Sequence, residues 1–224
     1  EGIATARIDV VFPVLHGLYG EDGTVQGLLE LAKIPYVGPG VLASSLAMDK
    51  VYAKLIFKHV GIPQADWEVV YSNDLMEMDK VLDRIEERFG YPCFVKPSNA
   101  GSSVGITKAH DRNELEEGLL IAAEHDDKIL VEEFINGREI ECSVLGNENP
   151  QASVLGEIIP GREFYDYDAK YNDDTSELII PASLPEETSN SIREYAVKAF
   201  KALGCEGLSR VDFFVHKETG AIYI

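Results

Sequence analysis

The sequence contains little cysteine and no long apolar run. Its three cysteines, Cys93, Cys142 and Cys205, stand apart from one another, and no metal-binding spacing such as CxxC occurs. An odd number of isolated cysteines favours small buried side chains in a reducing cytosol over a disulfide framework. The apolar stretch from Val10 to Leu15 is far shorter than the roughly 20 residues of a membrane-spanning helix, and no signal peptide is visible. We therefore expect a cytoplasmic protein with no membrane anchor.

Positive charge is also scarce. Lysine and arginine number 20 against 39 aspartates and glutamates, which gives a net charge of -19. Nucleic-acid phosphates are bound by many basic residues, so this balance argues against nucleic acid as a partner. A few lysines can still bind phosphate locally on an acidic protein. The lysine-containing P-loop is absent, however, because no glycine is followed directly by lysine.

Hydrophobic periodicity divides the chain into two kinds of structure. Residues 7–15 and 34–37 predict strands, the first of them buried, and each is followed by a helix, as at the end of a parallel α/β unit. From Trp67 onward, strands and helices follow in the pattern of a compact α+β domain. The polar stretch from Gly161 to Thr175 has neither periodicity, and loops of this kind are usually functional or disordered.

One glycine-rich turn fits the fingerprint of dinucleotide-binding proteins. Gly38-Pro39-Gly40-Val41-Leu42-Ala43 matches G-x-G-x-x-A between a predicted strand and a helix. Pro39 removes a backbone N–H from the turn that would hold the pyrophosphate. No strand ending in an acidic residue follows at the required distance, so this interpretation is the weaker one.

Two lysines are candidates for phosphate binding. Lys50 stands at the start of a predicted helix, and Lys96 ends an apolar strand, where an unpaired ammonium group would be costly. An edge-strand lysine whose ammonium group reaches water would also explain Lys96. The loop from Ser98 to Gly105 favours phosphate binding, because its small residues are rich in N–H and hydroxyl donors.

Charged residues mark two further strands. Glu132 and Glu133 are adjacent, so their side chains point to opposite faces, and one of them could accept hydrogen bonds from a ribose or an amine. A solvated acidic pair would explain them as well. Arg210 and Asp212 alternate on a strand and therefore share a face. They fit either a simple ion pair or a metal ligand beside an arginine that stabilises an anion.

In their order along the chain, these pieces resemble the D-alanine–D-alanine ligases, a family of ATP-grasp enzymes. Together the matching motifs span the chain, and the first, third and fifth are long and specific. The six motifs are His16-Gly17-x-x-Gly20-Glu21-Asp22-Gly23, Met48-Asp49-Lys50, Val95-Lys96-Pro97-x-x-x-Gly101-Ser102-Ser103-Val104-Gly105, Glu132-Glu133-Phe134, Tyr165-Asp166-Tyr167-x-Ala169-Lys170-Tyr171 and Gly207-Leu208-x-Arg210-Val211-Asp212.

The resemblance implies an α+β ATP-grasp fold, preceded by the end of a Rossmann-like parallel α/β domain. Residues 1–47 would end the N-terminal α/β substrate domain. Residues 48–135 would form the central ATP-grasp subdomain. Residues 136–224 would form the C-terminal subdomain, with a lid loop over residues 161–175.

The resemblance also implies a role for individual residues. The residues implied for ATP binding are Lys50, Lys96, Gly101, Ser102, Ser103, Val104, Glu132, Glu133, Phe134, Ile135, Glu139 and Lys170. Those implied for substrate binding are His16, Glu21, Tyr165, Tyr171 and Arg210. Ser102, Lys170, Tyr171 and Arg210 would be catalytic, with Tyr171 hydrogen-bonded to Ser102, and Asp212 would ligate magnesium.

The implied activity is the ATP-dependent ligation of two D-alanines for peptidoglycan precursor synthesis, with Mg²⁺, or Mn²⁺ in its place, as the cofactor. An acyl phosphate would be the intermediate, and charge would accumulate on oxygen atoms in both steps, which suits lysines, an arginine and a metal ion. Water destroys an acyl phosphate, so a closing lid is expected. ATP and D-alanine are the implied small-molecule partners, and a homodimer is the implied assembly.

The family also uses residues that this sequence does not contain. A glutamate and a glycine pair are expected in an N-terminal segment, where they bind the first substrate. Asn-Glu-x-Asn is expected directly after a strand such as Ile222-Tyr223-Ile224, as the remaining magnesium ligands. We therefore expect the 224 residues alone not to catalyse the reaction.

Two other functions remain open at this point. A sibling ligase of the same fold would join D-alanine to D-lactate or D-serine, although the segment from Tyr165 to Tyr171 resembles the dipeptide-forming type. A non-catalytic nucleotide-binding module is the second alternative. Such a module would have no need of Lys170, Arg210 and Asp212 together.

Overall fold

The computed structural model describes residues 7–101, 103–159 and 176–224. Within these ranges the chain forms two antiparallel sheets with helices packed against them. The predicted lid over residues 161–175 lies outside the described residues. No helix in the described ranges combines the length and apolar character needed to cross a membrane.

The N-terminal part consists of three helices and very little sheet. Helices α1 (Thr24–Ala32), α2 (Val41–Met48) and α3 (Lys50–His59) follow one another. The predicted strands over residues 7–15 and 34–37 are reduced to one parallel bridge between Val11 and Tyr36. The prediction of a buried strand was wrong. Residues 7–15 have no second neighbouring strand in the described part of the chain, and alternate side chains such as Phe12 and Val14 are exposed.

The central sheet contains strands β1 (Trp67–Tyr71), β2 (Cys93–Pro97), β3 (Thr107–Ala109) and β4 (Lys128–Glu133) in the order β1-β4-β2-β3. Helices α4 (Met78–Phe89) and α5 (Arg112–Ala123) cover one face of it. Strand β3, the antiparallel partner of β2, begins only at Thr107. The chain is still turning at Val104, whose N–H donates to the Gly101 carbonyl oxygen at 3.1 Å.

Successive side chains of β2 and β4 point to opposite faces of the central sheet, and one of these faces packs against α4 and α5. Cys93 and Val95 of β2 are fully buried and lie beside Val131 of β4 in the core formed with α4 and α5. Lys96 and Glu132 point to the opposite face, toward α3. Because side chains of a strand alternate between its two faces, residues of the core and residues of the lysine cluster follow one another along the same strand.

The C-terminal sheet contains five strands in the order β7-β6-β5-β8-β9. They are β5 (Gly137–Gly146), β6 (Gln151–Ile159), β7 (Glu177–Ile179), β8 (Gly207–His216) and β9 (Ile222–Tyr223). Helix α6 (Glu186–Leu203) covers the inner face with Ile192 and Phe200, which pack against Ile140 and Phe213. The short strand β7 was not predicted, and neither was α2 as a helix separate from α3.

Each proposed ATP-grasp subdomain contains one of the two sheets. The proposed boundary after residue 47 falls at the end of α2, and the boundary after residue 135 falls between β4 and β5. Both boundaries stay proposals, because they follow from the family resemblance.

A close approach of two glycines joins the N-terminal part to the C-terminal sheet. A Cβ atom added at Gly207 would lie 2.6 Å from the Gly38 backbone nitrogen. Gly207 also has a φ of 69°, in the left-handed region that glycine adopts without strain. The backbone contact therefore depends on the missing side chain at Gly207.

We predict that Gly207→Ala destabilises the fold more than the matched change Gly204→Ala. Gly204 has nearly the same φ, 71°, but open space around its missing Cβ atom. Gly204→Ala should therefore lower the free energy of unfolding by about 1–2 kcal/mol, the cost of the left-handed backbone alone. Gly207→Ala should lower it by about 1–3 kcal/mol more, because the contact with Gly38 must open. Urea unfolding of both variants tests this, and equal losses would contradict the role of the contact.

Candidate active site

A cleft of about 610 Å³ lies between the N-terminal loops, the start of α3, the loop after β2 and the outer face of β8. It brings together residues that are far apart in the sequence. The predicted site residues that line it are His16, Glu21, Lys50, Gly101, Ser103, Arg210 and Asp212. The cleft therefore joins residues predicted for the substrate to residues predicted for phosphate and metal.

The loop from His16 to Glu21 forms one wall of the cleft. His16 is exposed, and the Glu21 carboxylate accepts a hydrogen bond from the Gly17 N–H at 2.5 Å, which fixes the turn. The loop after β2 touches this turn through backbone atoms, because a Cβ atom added at Gly101 would lie 2.7 Å from the Gly17 Cα. The predicted substrate loop and the predicted phosphate hairpin are thus in direct contact.

Lys50 is positioned by Asp49 at the start of α3. One Asp49 carboxylate oxygen caps the helix, accepting from the Val51 N–H at 3.1 Å, and also accepts from the Ser98 hydroxyl at 2.7 Å. The other oxygen forms an ion pair with Lys128 of β4. Burial by itself would raise the pKa of Asp49, but the hydrogen bonds from Lys128 and Ser98 outweigh it and lower the pKa. Helix α3 is therefore attached to the end of the central sheet.

The Lys50 ammonium group lies beneath the loop that follows β2. It donates to the Ala100 carbonyl oxygen at 2.6 Å and to the Pro97 carbonyl oxygen at 3.2 Å. Burial and the neighbouring charge of Lys96 lower the pKa of Lys50 to about 8. Its hydrogen-bond acceptors in the described part of the chain are neutral carbonyl oxygens, so an anion that enters the cleft would be a better partner.

Lys96 and Glu132 form a buried cluster with a third residue, Lys54 of α3. The Lys54 ammonium lies 2.5 Å from one oxygen of the Glu132 carboxylate, and the Lys96 ammonium pairs with the other oxygen. Burial by itself would raise the pKa of Glu132, but the charges of Lys96 and Lys54 lower it to about 2. Glu132 is therefore ionised at all ordinary pH values.

Of the other residues predicted for the adenine and ribose pocket, Phe134 lies near this cluster through Phe94, whose ring centre is 5.3 Å from the Lys96 ammonium group. The rings of Phe94 and Phe134 lie 6.3 Å apart, and the Lys108 ammonium lies 4.3 Å from the centre of the Phe134 ring. Phe134 itself is exposed and Ile135 is half-buried. The Glu133 carboxylate accepts a hydrogen bond from the Asp66 N–H at 2.7 Å, so one of its oxygens already has a structural partner.

Arg210 and Asp212 share the outer face of β8, as predicted. The Arg210 guanidinium donates to both oxygens of the Asp212 carboxylate, at 2.8 and 2.9 Å, and lies 3.1 Å from Glu141 on the neighbouring strand β5. Burial by itself would lower the pKa of Arg210, but the hydrogen bond and charge of Asp212, followed by the charges of Glu141 and Glu139 on β5, raise it. Arg210 and Asp212 thus line the cleft as an ion pair, with further negative charge on the neighbouring strand.

The loop after β2 is only partly described. Gly101 and Ser103 line the cleft, while Val104 is exposed beside it. Ser102 lies outside the described residues, and so do Tyr165, Lys170 and Tyr171 of the predicted lid. The proposed hydrogen bond between Tyr171 and Ser102 therefore stays a prediction.

The outer face of β8 suits a magnesium ion that is also bound by phosphate. Mg²⁺ prefers oxygen ligands and is commonly held by one or two carboxylates together with substrate phosphates. The Asp212 carboxylate is 45% exposed at the cleft, so its oxygens are accessible to such an ion. The described residues contain no group of three or more histidines, cysteines or acidic side chains that could hold a metal ion.

Two family models cover almost all of this chain. The model described as "D-ala D-ala ligase C-terminus" matches residues 56–224, and the model described as "D-ala D-ala ligase N-terminus" matches residues 1–39. The chain belongs to the D-alanine–D-alanine ligase family. Residues 40–55, which include α2 and the first part of α3, lie between the two matches.

Relatives of the family agree with this assignment in sequence and in fold. The chain is 66% identical to a D-alanine–D-alanine ligase from Acetivibrio thermocellus and 62% identical to one from Ruminiclostridium cellulolyticum, in each case over 100% of its own length. It spans about 60% of the length of both relatives.

Two solved structures share the fold. VanG D-Ala:D-Ser ligase from Enterococcus faecalis is 41% identical, with a TM-score of 0.87, over 99% of this chain and 63% of that one. The D-alanine-D-alanine ligase from Coxiella burnetii is 37% identical, with a TM-score of 0.81, over 96% of this chain and 56% of that one. The predicted ATP-grasp fold is therefore confirmed.

Sequence reasoning missed several residues that shape the site of this family member. In α3 the apolar Leu55 is 47% exposed, whereas the adjacent Lys54 is only 8% exposed. The available signal was the spacing of Lys50 and Lys54, because residues four apart lie on the same face of a helix. Asp49 and Lys128 carried no comparable signal, since they meet only in the folded chain.

We predict that Asp49→Ala destabilises the protein more than Asp111→Ala. Asp111 caps α5 in the same way, accepting from two backbone N–H groups at 2.9 and 3.0 Å, but it is exposed and has no lysine partner among the contacts described. Loss of that cap should lower the free energy of unfolding by about 1 kcal/mol. Asp49→Ala should lower it by about 2–4 kcal/mol, because Lys128 also loses its partner in a mostly buried setting.

The measurement is urea unfolding of both variants at neutral pH. A further variant, Asp49→Asn, keeps the capping oxygen and removes the charge. It should fall between the two alanine variants. Losses of the same size for Asp49→Ala and Asp111→Ala would mean that the Lys128 ion pair contributes nothing.

Proposed function

We propose that the protein is an ATP-dependent ligase that joins two D-alanines into D-alanyl-D-alanine. The observation that carries the proposal is the cleft, whose lining brings Lys50 and Arg210 together with His16 and Glu21. Membership of the D-alanine–D-alanine ligase family supports the same reaction. The resemblance to that family also supports a cytoplasmic homodimer that serves peptidoglycan precursor synthesis.

The ATP site would extend from the cleft to the exposed side of the central sheet. Lys50 and Lys96 would bind the phosphates, and the hairpin from Gly101 to Val104 would close over them with its N–H and hydroxyl donors. The adenine and ribose would lie against the residues Glu132, Glu133, Phe134, Ile135 and Glu139. The position of Phe94 between Lys96 and Phe134 supports this proposal, because the nucleotide would then run from Phe134 toward Lys50.

The two amino-acid substrates would occupy the cleft itself. His16 and Glu21 would lie beside the first D-alanine. Tyr165 and Tyr171 would cover the second, with Lys170 reaching the phosphate. Arg210 would stabilise the negative charge that develops on the reacting carboxyl group, since a guanidinium can donate two parallel hydrogen bonds to such an oxyanion.

The reaction would proceed in two displacement steps. A carboxylate oxygen of the first D-alanine attacks the γ-phosphorus of ATP, which gives an acyl phosphate and releases ADP. The amine of the second D-alanine then attacks the acyl carbon, and inorganic phosphate leaves. Lys50, Lys96 and Arg210 would hold the oxygens that gain charge. Mg²⁺ held at Asp212 would neutralise phosphate charge when bound.

The ligation of D-alanine to D-serine is the second candidate. It is favoured by the 41% identity and TM-score of 0.87 with a structure named as a D-Ala:D-Ser ligase. The higher identities of 66% and 62% belong to relatives named as D-alanine–D-alanine ligases, which is why we prefer the first candidate. The distinction rests on the second substrate alone.

The proposed reaction is tested by product analysis with the full-length protein. ATP and Mg²⁺ are supplied with D-alanine alone, and then with D-alanine plus equal D-serine or D-lactate. We expect D-alanyl-D-alanine as the main product in every mixture, with one phosphate released per dipeptide. A main product containing D-serine would favour the second candidate, and the absence of any phosphate release would refute both.

We predict that ADP binding takes up protons above pH 8 because of Lys50. The pKa of about 8 in the free protein means that Lys50 loses its charge as the pH rises through that value. A bound polyphosphate favours the charged ammonium and raises its pKa. ADP affinity should therefore be highest below pH 8 and fall as the pH rises toward 9.5. Phosphate does not titrate in this range, because its second pKa is about 6.

Calorimetry at pH 8.5 in two buffers of different ionisation enthalpy measures the uptake. The apparent binding enthalpies should differ between the buffers in the wild type and agree in Lys50→Met. That variant should also lose affinity, by about tenfold or more, the effect of one charge-assisted hydrogen bond. Equal enthalpies in the wild type would contradict the assignment of Lys50 to phosphate.

A further inference from the structure

Lys54 is a buried lysine for which the proposed reaction has no use. Its side chain is 10% exposed and its ammonium group lies 2.5 Å from a Glu132 carboxylate oxygen. It does not line the cleft. Lys96, the other partner of Glu132, is 22% exposed.

The cluster therefore contains two positive charges and one negative charge. A buried carboxylate needs at least one cationic partner, because an isolated charge in the protein interior is very unfavourable. Lys96 is the more exposed of the two lysines, and it precedes Pro97, whose carbonyl oxygen accepts a hydrogen bond from the Lys50 ammonium group at 3.2 Å. Of the two partners of Glu132, Lys96 is therefore the one that a phosphate bound at Lys50 would recruit.

We propose that Lys54 is a positioning residue that neutralises Glu132 permanently, so that the charge of Lys96 is left for the nucleotide phosphates. Without Lys54, Lys96 would be the only cation paired with the buried Glu132 carboxylate. A phosphate that recruited Lys96 would then leave that carboxylate unpaired. This inference rests on the proposed ATP site.

The helical spacing in α3 fits such a division of roles. Lys50 and Lys54 are four residues apart and so lie on one face of the helix, one turn from each other. Lys50 reaches the loop after β2, while Lys54 reaches β4. The same face of α3 thus supplies Lys50 for the phosphates of the ligand and Lys54 for the buried Glu132 carboxylate.

The test compares the binding of ADP and adenosine to the full-length protein and to Lys54→Met. Methionine has a similar length and no charge. Adenosine has the same base and sugar as ADP but no phosphates, so the ratio of the two affinities measures the contribution of the phosphates. We expect that ratio to fall by about tenfold or more in Lys54→Met, because Lys96 would be held by a buried charge. Adenosine affinity should change by less than about twofold.

A matched control separates this effect from a general loss of stability. Arg112 joins Asp79, Asp83 and Glu86 between α4 and α5, on the face of the central sheet away from α3. Arg112→Met should lower the melting temperature and leave the affinity ratio unchanged. If Lys54→Met behaved in the same way, with an unchanged ratio, Lys54 would be structural only and the proposal would be overturned.

Two further variants keep the proposal testable if Lys54→Met does not fold. Glu132→Gln releases Lys96 from its partner, so the ADP-to-adenosine ratio should rise or stay level even if adenosine binding weakens. Lys54→Met with Glu132→Gln removes one charge of each sign and should restore the wild-type ratio. A fall of the ratio in either variant would overturn the proposal.

The proposed ATP site can fail separately from this inference. If the wild-type protein binds neither ADP nor adenosine, the ATP site itself is wrong. If the wild type binds both, with ADP bound more tightly, and the ratio is the same in Lys54→Met, only the role of Lys54 is wrong.

Discussion

The buried carboxylate of Glu132 is the charge on which the arrangement of the site depends. It lies on the polar face of the central sheet and holds two ammonium groups, one from α3 and one from β2. Lysines are seldom buried without a partner, because their desolvation is costly. A single anion inside the protein therefore makes it possible to place several cations close together, on a molecule whose net charge is -19.

In both sheets, the residues that form the core and the residues that form the site lie on opposite faces of the same strands. In β2 and β4, alternate residues point either to the apolar core or to the lysine cluster. In β8, Phe213 and Val215 point to the core formed with α6, while Arg210 and Asp212 point to the cleft. Because successive side chains of a strand point to opposite faces, substitutions on the cleft side leave the packing of the core largely intact.

Patterns within short segments of the sequence predicted much of this architecture. Contacts between distant segments could not be predicted from such patterns. Strands β1, β2 and β4 follow from short runs of apolar and β-branched residues, and the shared face of Arg210 and Asp212 follows from the alternation that any strand shows. The cluster of Lys54, Lys96 and Glu132 joins three segments, and no pattern within one segment reveals it. For residues 7–15, a local pattern gave a wrong prediction. Their apolar run predicts a buried strand, but burial requires neighbours, and the described residues provide only one bridge.

The contact between Gly17 and Gly101 has a consequence for inhibitors of this cleft. Backbone atoms of the two loops meet there without an intervening side chain, and a Cβ atom at residue 101 would lie 2.7 Å from the Gly17 Cα. Resistance usually arises when a side chain is exchanged for one that weakens or blocks the inhibitor. At Gly101 any exchange adds atoms where none fit, so an inhibitor that binds to this part of the backbone leaves the target few routes of escape.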